Sequence, residues 1–253
     1  MSIDFIWQDL NDHRLNKLKE DYQLEKVVSS GQNEFEKQLL LKNWVFNTLP
    51  YGFHNRGNYK SAAEVLSDIN GNDFKCTWYV LVFLQCAQAL GWQTRKLGID
   101  TDHSFGVEEM RHTVVDIWSR KFNKWYVIDP MFSIHFEKEG IPLNSYEIRK
   151  SCIEKIQVDK ICGTSADKYS SRKFKERNDQ PLNYFWFFIL LRNNYLKNPN
   201  IYESKSLLWV DKYNKDKTWY VGGVGKGEFR KHPQYEGAFI ETCDYKLCYP
   251  NLK

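Results

Sequence analysis

One segment constrains the fold of this chain more than any other: FKCTWYVLVFLQCAQALGW, residues 74–92, in which most side chains are apolar. The run Trp78–Leu84 is hydrophobic without a break. A helix that is apolar nearly all round is buried on several sides, so this segment predicts a rigid central helix. Gly91 is suited to follow its end, because glycine readily adopts the left-handed conformation found after many helices.

Cys76 stands at the front of this predicted helix. Asn72 or Asp73 can act as the N-cap, and with Asp73 in that role Cys76 occupies the third helical position. The sulfur then lies near unsatisfied backbone N–H groups and the positive end of the helix dipole, which both favour the nucleophilic thiolate. Cys76 can also be interpreted as one more small hydrophobic residue, and a nearby base decides between these readings.

A base is predicted from RHTVVDIWSRKFNKWYVIDP, residues 111–130, which has the pattern of two strands joined by a turn. A four-residue loop at 119–122 pairs His112 directly with Asp129. Directly opposed side chains point to the same face, with Cβ atoms about 4.5–5.5 Å apart. An odd loop without a bulge would send them to opposite faces. The even number of loop residues, which we call the parity of the hairpin, therefore predicts a carboxylate beside an imidazole. A purely structural hydrogen bond between them is the alternative.

Other polar residues are weaker candidates for this site. Asp116 shares the face of His112, but it is predicted to lie beside Trp125 and is a secondary candidate. His103 and His135 are competing bases that lack an equally clear acidic partner on a regular strand. The remaining histidines have polar neighbours and are predicted to lie at the surface: His13, His54 and His232.

The other cysteines are interpreted as buried or idle thiols. Cys86 follows Cys76 by about 280° of helical rotation, which places it in the core. A domain of this size does not need disulfides. A zinc site is the alternative for the four downstream cysteines, but no paired C-x2-C motif supports it. These four are Cys152, Cys162, Cys243 and Cys248.

Helical patterns are predicted at residues 9–29 and 33–48, and a buried helix or strand at 181–196. Two shorter helices are expected to begin with capping boxes, one at Ser61 with Glu64 and one at Asn144 with Glu147. Residues 93–99 are predicted as a strand, and residues 207–223 as a second hairpin.

Composition and charge narrow the range of partners. The 253 residues are 42% hydrophobic with a formal net charge of +4, and no dense basic tract indicates nucleic-acid binding. The apolar run Tyr184–Leu191 is too short to span a bilayer, so no membrane partner is expected. No leader pattern opens the chain. We expect a cytoplasmic protein if Met1 is the natural start, and an extracytoplasmic one if a leader was cut away.

Three motifs in order resemble the transglutaminase-like superfamily, which shares a papain-like cysteine-protease core. They are FKCTWYVLVFLQCAQALGWQTRKLGI, RHTVVDIW and KWYVIDP, and LLLKNWVFNTLPYG resembles the helix that precedes the cysteine in bacterial members. The resemblance covers about residues 35–150. It implies an α+β fold in which a central buried helix bearing the cysteine packs on an antiparallel sheet.

The resemblance also implies roles for individual residues. Cys76 would be the nucleophile, His112 the general base and acid, and Asp129 the carboxylate that orients the imidazole, as in the serine triad. The N–H of Cys76 would supply one oxyanion donor, and Trp44 is the candidate for the second. The sequence KCTWY departs from the QCW of the animal crosslinking enzymes. No acidic loop resembles a calcium site, so neither a metal nor a cofactor is expected.

The domain organisation follows from the extent of this resemblance. We expect an N-terminal helical segment at 1–34, the catalytic core at 35–150, and an unassigned C-terminal extension at 151–253 that packs on the core. The implied function is hydrolysis or acyl transfer at amide bonds of a peptide, protein or glycopeptide. The alternatives are a noncatalytic peptide- or carbohydrate-binding module that retains the fold, and a peptide:N-glycanase-like amidase, whose relatives carry zinc-binding C-x2-C pairs.

Overall fold

The computed structural model describes residues 3–54, 57–101, 112–163, 181–199, 205–215 and 239–252. His103 and His232 therefore lie outside the described residues. The fold is α+β, with a six-stranded mixed sheet, a three-stranded sheet and a layer of helices. Within the described residues, no helix combines the length and the apolar character needed to cross a membrane.

Three helices form the N-terminal part. The helix predicted at 9–29 is divided into α1 (His13–Asp21) and α2 (Leu24–Val27), because Gln23 between them has a left-handed backbone with φ +48°. The next helix, α3 (Glu34–Thr48), begins at Asn33, whose side chain accepts a hydrogen bond from the N–H of Glu36. Its predicted extent is confirmed to within a residue.

The short helix α4 (Ala62–Ser67) has Ser61 as its N-cap, but the capping box predicted there is incomplete. The Ser61 hydroxyl accepts from the N–H of Glu64, whereas the Glu64 carboxylate accepts from the N–H of Lys60 instead of Ser61. In α6 (Ser145–Ile153) the predicted box between Asn144 and Glu147 is present in full.

Helix α5 (Cys76–Ala89) is the centre of the fold. Every residue from Thr77 to Ala89 is buried, as the apolar pattern predicts, and the helix packs against α1, α3, α4 and the main sheet. Gly91 follows the helix with φ +82°. Its N–H bonds the carbonyl of Gln88, and the N–H of Trp92 bonds the carbonyl of Ala87, the hydrogen bonds of a Schellman motif.

The main sheet joins strands from the predicted core and from the C-terminal hundred residues. Its order is β3-β2-β1-β7-β8-β9, and all pairs are antiparallel except β8–β9, so the predicted antiparallel sheet is in fact mixed. The first three strands come from the core, and β7 pairs directly with β1. The strands are β1 (Thr94–Asp100), β2 (His112–Ser119), β3 (Lys124–Ile128), β7 (Trp186–Leu190), β8 (Ser206–Trp209) and β9 (Phe239–Thr242).

The predicted register of the β2–β3 hairpin is wrong by two residues. The structure pairs Ser119 with Lys124 and Trp118 with Trp125, so the four-residue loop is 120–123. Asn123 takes a left-handed conformation with φ +50°, which asparagine tolerates in turns, and it therefore belongs to the loop and not to the strand. A shift of two residues preserves the side-chain parity on which the site prediction depends.

The smaller sheet has the order β5-β4-β6 and lies beyond the end of β3. Asp129 and Ile134 form an isolated antiparallel bridge at the turn that leads into β4. Helix α6 lies between the second and third strands of this sheet in the chain, and a 3₁₀ turn (Pro181–Tyr184) precedes β7. The strands are β4 (Ile134–Lys138), β5 (Ile141–Pro142) and β6 (Asp159–Cys162), and the last helix of the chain is α7 (Tyr245–Cys248).

The second hairpin, predicted at 207–223, is tested in its first half only. Residues 206–209 form β8, which pairs with β7 on one side and with β9 on the other. Both edges of β8 are therefore occupied by other strands, and the pairing predicted for a hairpin at 207–223 is wrong. Residues 216–238 lie outside the described residues. The segment 181–196, left open between helix and strand, contains β7.

Candidate active site

Cys76 is the first residue of α5, not the third as predicted. The N-cap is Lys75, whose side chain makes no capping hydrogen bond. Asp73 does not cap the helix, because its carboxylate binds His54: one oxygen accepts from the backbone N–H at 2.9 Å, and the other lies 2.5 Å from Nδ1. The sulfur therefore starts closer to the N-terminal end of the helix dipole than predicted, where an anion is favoured.

The structure brings His112 and Asp129 together as parity predicts. His112 Nε2 lies 2.6 Å from Asp129 Oδ2, and both side chains are 2% exposed. Continuing the observed register places Val114 opposite Asp129, so His112 and Asp129 are diagonal neighbours instead of directly opposed ones. The ring of His112 also packs against Phe132, with centroids 5.4 Å apart.

Asp129 is itself held in place by the turn that follows β3. Its Oδ1 accepts hydrogen bonds from the N–H groups of Met131 at 2.9 Å and Phe132 at 3.2 Å. The backbone of Asp129 exchanges two hydrogen bonds with Ile134. One carboxylate oxygen is therefore occupied by the backbone, and the other is directed at the imidazole.

Cys76 is partly exposed and forms a hydrogen bond with the side chain of His112. Because Nε2 of the imidazole is occupied by Asp129, Nδ1 is the nitrogen left for the sulfur. Burial alone raises the pKa of Cys76. The hydrogen bond and charge of His112, with smaller contributions from Thr113, outweigh burial and lower the pKa of Cys76 from 9.0 to about 7.

The imidazole shows the complementary change. Burial lowers the pKa of His112, but the charge and hydrogen bond of Asp129, followed by those of Cys76, raise it from 6.5 to about 10. A depressed thiol pKa and an elevated imidazole pKa mean that each charge stabilises the other. Between about pH 7 and pH 10 the pair is a thiolate beside an imidazolium, the state from which a cysteine nucleophile acts.

Thr113 is a residue of this site that sequence reasoning missed. Its backbone N–H and its side chain both hydrogen-bond Cys76 and lower the pKa of the thiol. No sequence signal marks it, because a threonine in a strand is ordinary and its role depends on where α5 begins relative to β2.

Asp116, the secondary candidate, belongs to a different cluster. Its Oδ2 accepts from Arg95 at 2.7 Å, and both side chains are nearly fully buried. Burial raises the pKa of Asp116 to about 6, against the opposing effect of Arg95. The Arg95 guanidinium lies 4.1 Å from the Trp125 ring centroid and donates to the carbonyl of Cys248. Asp116 therefore holds Arg95, which joins the C-terminal segment to the sheet.

We expect Asp116→Asn to lower the free energy of unfolding by about 1–3 kcal/mol, because Arg95 would be left buried beside a neutral group. The alkylation rate of Cys76 at pH 7 should stay within about twofold of wild type, since Asp116 bonds Arg95 and not His112. Urea unfolding followed by tryptophan fluorescence measures the first quantity and timed alkylation the second. Loss of Cys76 alkylation in a folded variant would contradict this and would indicate that Asp116 belongs to the active site.

Trp44, the candidate for the second oxyanion donor, lies on α3 with its ring packed edge-on against Tyr22, 6.4 Å between centroids. Its assignment to the oxyanion site stays a prediction. The first N–H groups of α5 are left uncapped by the side chain of Lys75, so the N–H of Cys76 is placed at a helix N-terminus, where backbone donors can meet an anion.

The other histidines that the structure describes lie in separate environments. His135 is buried between Lys42 Nζ, 3.2 Å from Nδ1, and Glu137 Oε1, 2.8 Å from Nε2. Burial and the charge of Lys42 lower the pKa of His135 strongly, so it is a neutral ring that accepts from Lys42 and donates to Glu137. His13 and His54 have exposed side chains, as predicted.

The remaining thiols are all free. Cys86 is buried, as predicted, and burial raises its pKa. Cys248 is also buried, Cys152 is half-buried, and Cys162 and Cys243 are exposed. Across the described ranges, no three histidine, cysteine or acidic side chains are grouped so that they could hold a metal, so these four cysteines do not form the alternative zinc site.

No protein-family model and no curated protein matches this chain. One solved structure that is similar to part of it is named "Putative Cysteine Protease from Cytophaga hutchinsonii". The similarity covers 50% of this chain and 40% of that one, at 16% sequence identity and a TM-score of 0.38.

Proposed function

We propose that this protein is a cysteine-dependent amide hydrolase or acyltransferase with the transglutaminase-like arrangement of Cys76, His112 and Asp129. The observation that carries the proposal is the continuous chain of contacts from sulfur to imidazole to carboxylate. Each residue comes from a different segment, and each has its polar atoms turned toward the next. A chance buried histidine–aspartate pair would not require a partly exposed cysteine at a helix N-terminus beside it.

The reaction begins with the thiolate of Cys76, which attacks the carbonyl carbon of a substrate amide. The carbonyl oxygen becomes an oxyanion, for which the N–H of Cys76 is the first donor and Trp44 is proposed as the second. The His112 imidazolium gives its proton to the departing amine, and the C–N bond breaks. A thioester between Cys76 and the acyl group remains.

The second half-reaction releases the acyl group. Neutral His112 takes a proton from water or from an amine, and that nucleophile attacks the thioester carbonyl. Water gives a carboxylic acid and an amine gives a new amide, while the thiolate leaves and the ion pair with His112 is restored. Asp129 holds the imidazole so that Nδ1 stays directed at the sulfur throughout.

The first test is site-resolved alkylation with iodoacetamide at pH 7, read by peptide mass spectrometry. We expect Cys76 to react before the other five cysteines. Exposed Cys162 and Cys243 serve as internal references for access, and Cys86 reports unfolding because it is buried. Equal labelling of all exposed thiols, or none at Cys76 in the folded protein, would contradict the proposal and favour the noncatalytic binding module.

The pH dependence gives a second prediction. The rate of Cys76 alkylation should rise with a midpoint near pH 7, because the depressed pKa of the thiol means that the thiolate is lost as pH falls through that value. Turnover should fall again toward pH 10, where His112 loses the proton that it gives to the leaving amine. Alkylation quenched at timed intervals measures the rise in the rate near pH 7, and steady-state rates measure the fall in turnover toward pH 10. A single rise at the free-thiol value of about 8.5 would contradict the ion pair.

Substrate class is best sought with labelled peptides, glycopeptides and amines. Acid products would identify a hydrolase, amide products an acyltransferase, and release of a glycan from asparagine a peptide:N-glycanase-like amidase. Cys76→Ala is the control in each assay, because it removes the proposed acyl carrier.

A further inference from the structure

An exposed phenylalanine lies on a loop next to the proposed nucleophile and has no part in the mechanism above. Phe53 is 56% exposed, although it is a large apolar residue. It belongs to residues 50–54, which follow α3 and which we call the rim loop. Isolated apolar residues are common on protein surfaces. What distinguishes Phe53 is that its loop is fixed to the segment that leads into Cys76.

The rim loop runs alongside the residues that come just before α5. Tyr51 and Phe74 form an isolated parallel bridge. The N–H of Phe74 donates to the carbonyl of Pro50 at 2.8 Å, and the N–H of Gly52 donates to the carbonyl of Phe74 at 3.3 Å. Because Phe74 is fully buried and lies only two residues before Cys76, the loop is joined to the start of α5.

The carboxylate of Asp73 holds the other end of the rim loop. It accepts a hydrogen bond from the N–H of His54 at 2.9 Å, and it lies 2.5 Å from Nδ1 of the same residue. Gly52 is buried against this carboxylate, and a Cβ atom there would lie 2.0 Å from Asp73 Oδ2. Glycine therefore permits the close approach of the loop. With both ends held, the loop presents Phe53 from a rigid support.

Phe53 is part of an aromatic surface. Its ring lies edge-on against the ring of Tyr51, with centroids 5.5 Å apart and planes at 79°. The neighbouring side chain of His54 is 96% exposed. Aromatic rings are rigid and offer a large contact area, so another ring binds to them at a low cost in conformational entropy. This surface is therefore suited to an aromatic side chain of a bound molecule.

The distance from the rim loop to the nucleophile is one that a peptide can span. Asp73 precedes Cys76 by three residues, so their Cα atoms lie at most about 11 Å apart. An extended peptide covers this distance with about three residues. A substrate whose amide carbonyl lies at Cys76 can therefore place a nearby side chain on the loop that bonds Asp73.

We propose that Phe53 is a specificity-determining residue, which binds an aromatic side chain of a peptide substrate within about three residues of the amide that Cys76 attacks. This inference rests on the proposed function and deepens it, because it selects peptides with an aromatic residue from the substrate classes above. Phe53 takes no part in bond making or breaking. Its ring contacts the bound peptide and so holds the amide at the sulfur.

The test is protection of Cys76 from iodoacetamide at pH 7 by two capped pentapeptides. One has a central phenylalanine among four glycines, so that its ring can reach Phe53 from either side of the amide, and the other is all glycine. The phenylalanine peptide should halve the alkylation rate at a concentration about tenfold lower than the glycine peptide does. Phe53→Ala should remove this difference. Each rate is divided by the rate of the same variant without peptide, which excludes changes in thiol reactivity.

Two further variants complete the test. Phe53→Tyr keeps the ring and should keep the difference between the peptides. Ile141→Ala is the matched control, because Ile141 is also an exposed apolar residue, at 47%. It pairs with Lys138, which lies four residues along β4 from Ile134, the partner of Asp129. That length of strand is about 13 Å, so Ile141→Ala should behave like wild type.

Equal protection by the two peptides in the wild-type protein would overturn the inference. A difference that persists in folded Phe53→Ala, or one that disappears in Ile141→Ala, would also overturn it. Circular dichroism of each variant shows that it is folded.

Failure of this inference is distinguishable from failure of the proposed function. Preferential alkylation of Cys76 in the absence of peptide supports the nucleophile, whatever the peptides do. Wild-type protein that shows no preferential reaction at Cys76 contradicts both.

Discussion

His112→Ala is expected to abolish the preferential alkylation of Cys76 at pH 7 and to lower amide turnover by about 10²–10⁴-fold. The hydrogen bond and charge of His112 are what bring the pKa of Cys76 down against the effect of burial. Without them the pKa should return to or above 9.0, the value from which it is displaced. At pH 7 the thiolate fraction then falls from about one half to about 1% or less.

The loss of alkylation in His112→Ala should come from the missing base and not from unfolding. A substitution of a second buried histidine can show this. His135 is the matched control, because it too is buried and hydrogen-bonded but contacts Lys42 and Glu137 instead of the thiol. In His135→Asn the amide oxygen can still accept from Lys42. We expect this variant to alkylate at Cys76 like wild type, with both variants checked by circular dichroism and thermal unfolding. The same loss of labelling in both would mean that folding, not the base, was measured.

Substitution of Asp129 should show two separate effects of this residue, one on the orientation of the imidazole and one on the stability of the fold. In Asp129→Asn the amide oxygen can keep the bonds from the N–H groups of Met131 and Phe132, so stability should fall by only about 1–2 kcal/mol. The amide nitrogen, however, would donate to Nε2 of His112, where the carboxylate accepted. The proton must then sit on Nδ1 without an imidazolium, and turnover should fall by about 10³–10⁴-fold.

Asp129→Ala should lower both the turnover and the stability of the protein. It removes the buried partner of His112 and the acceptor for two backbone N–H groups, with an expected cost of about 3–5 kcal/mol. Asp116→Asn completes the comparison, since it weakens a buried ion pair on the same sheet but leaves the His112 contact intact. Turnover in Asp129→Asn close to that of wild type would contradict the orienting role, and urea unfolding of the same samples keeps the two effects apart.

Much of the central region follows from local pattern. The apolar run after Cys76 specifies a buried helix, and the glycine at 91 specifies its end, since both depend on neighbouring residues only. Alternation along 112–118 and 124–129 determines which side chains share a face. That alternation survives a two-residue error in register, so His112 and Asp129 are neighbours as predicted, although the direct pairing predicted for them is wrong.

The helix cap shows where local pattern is insufficient. Asp73 is a suitable capping residue by type and position, but a backbone N–H and an imidazole from residue 54 bind its carboxylate. Partners that compete for one carboxylate and come from a distant loop leave no trace in the local sequence. The helix therefore begins at Cys76, and this start brings the sulfur to Thr113.

The sequence by itself determined the central helix and the β2–β3 hairpin, the faces of their side chains and the order of the three proposed site residues, because short-range sterics and the periodicity of apolar residues act along the chain. Only the tertiary structure decided the hairpin register, the pairing of Asp116 with Arg95, the contact of Thr113 with the thiol and the place of β7 beside β1. Each of these depends on which distant segments meet, and burial makes each buried polar group bind the partner that the packing brings within reach.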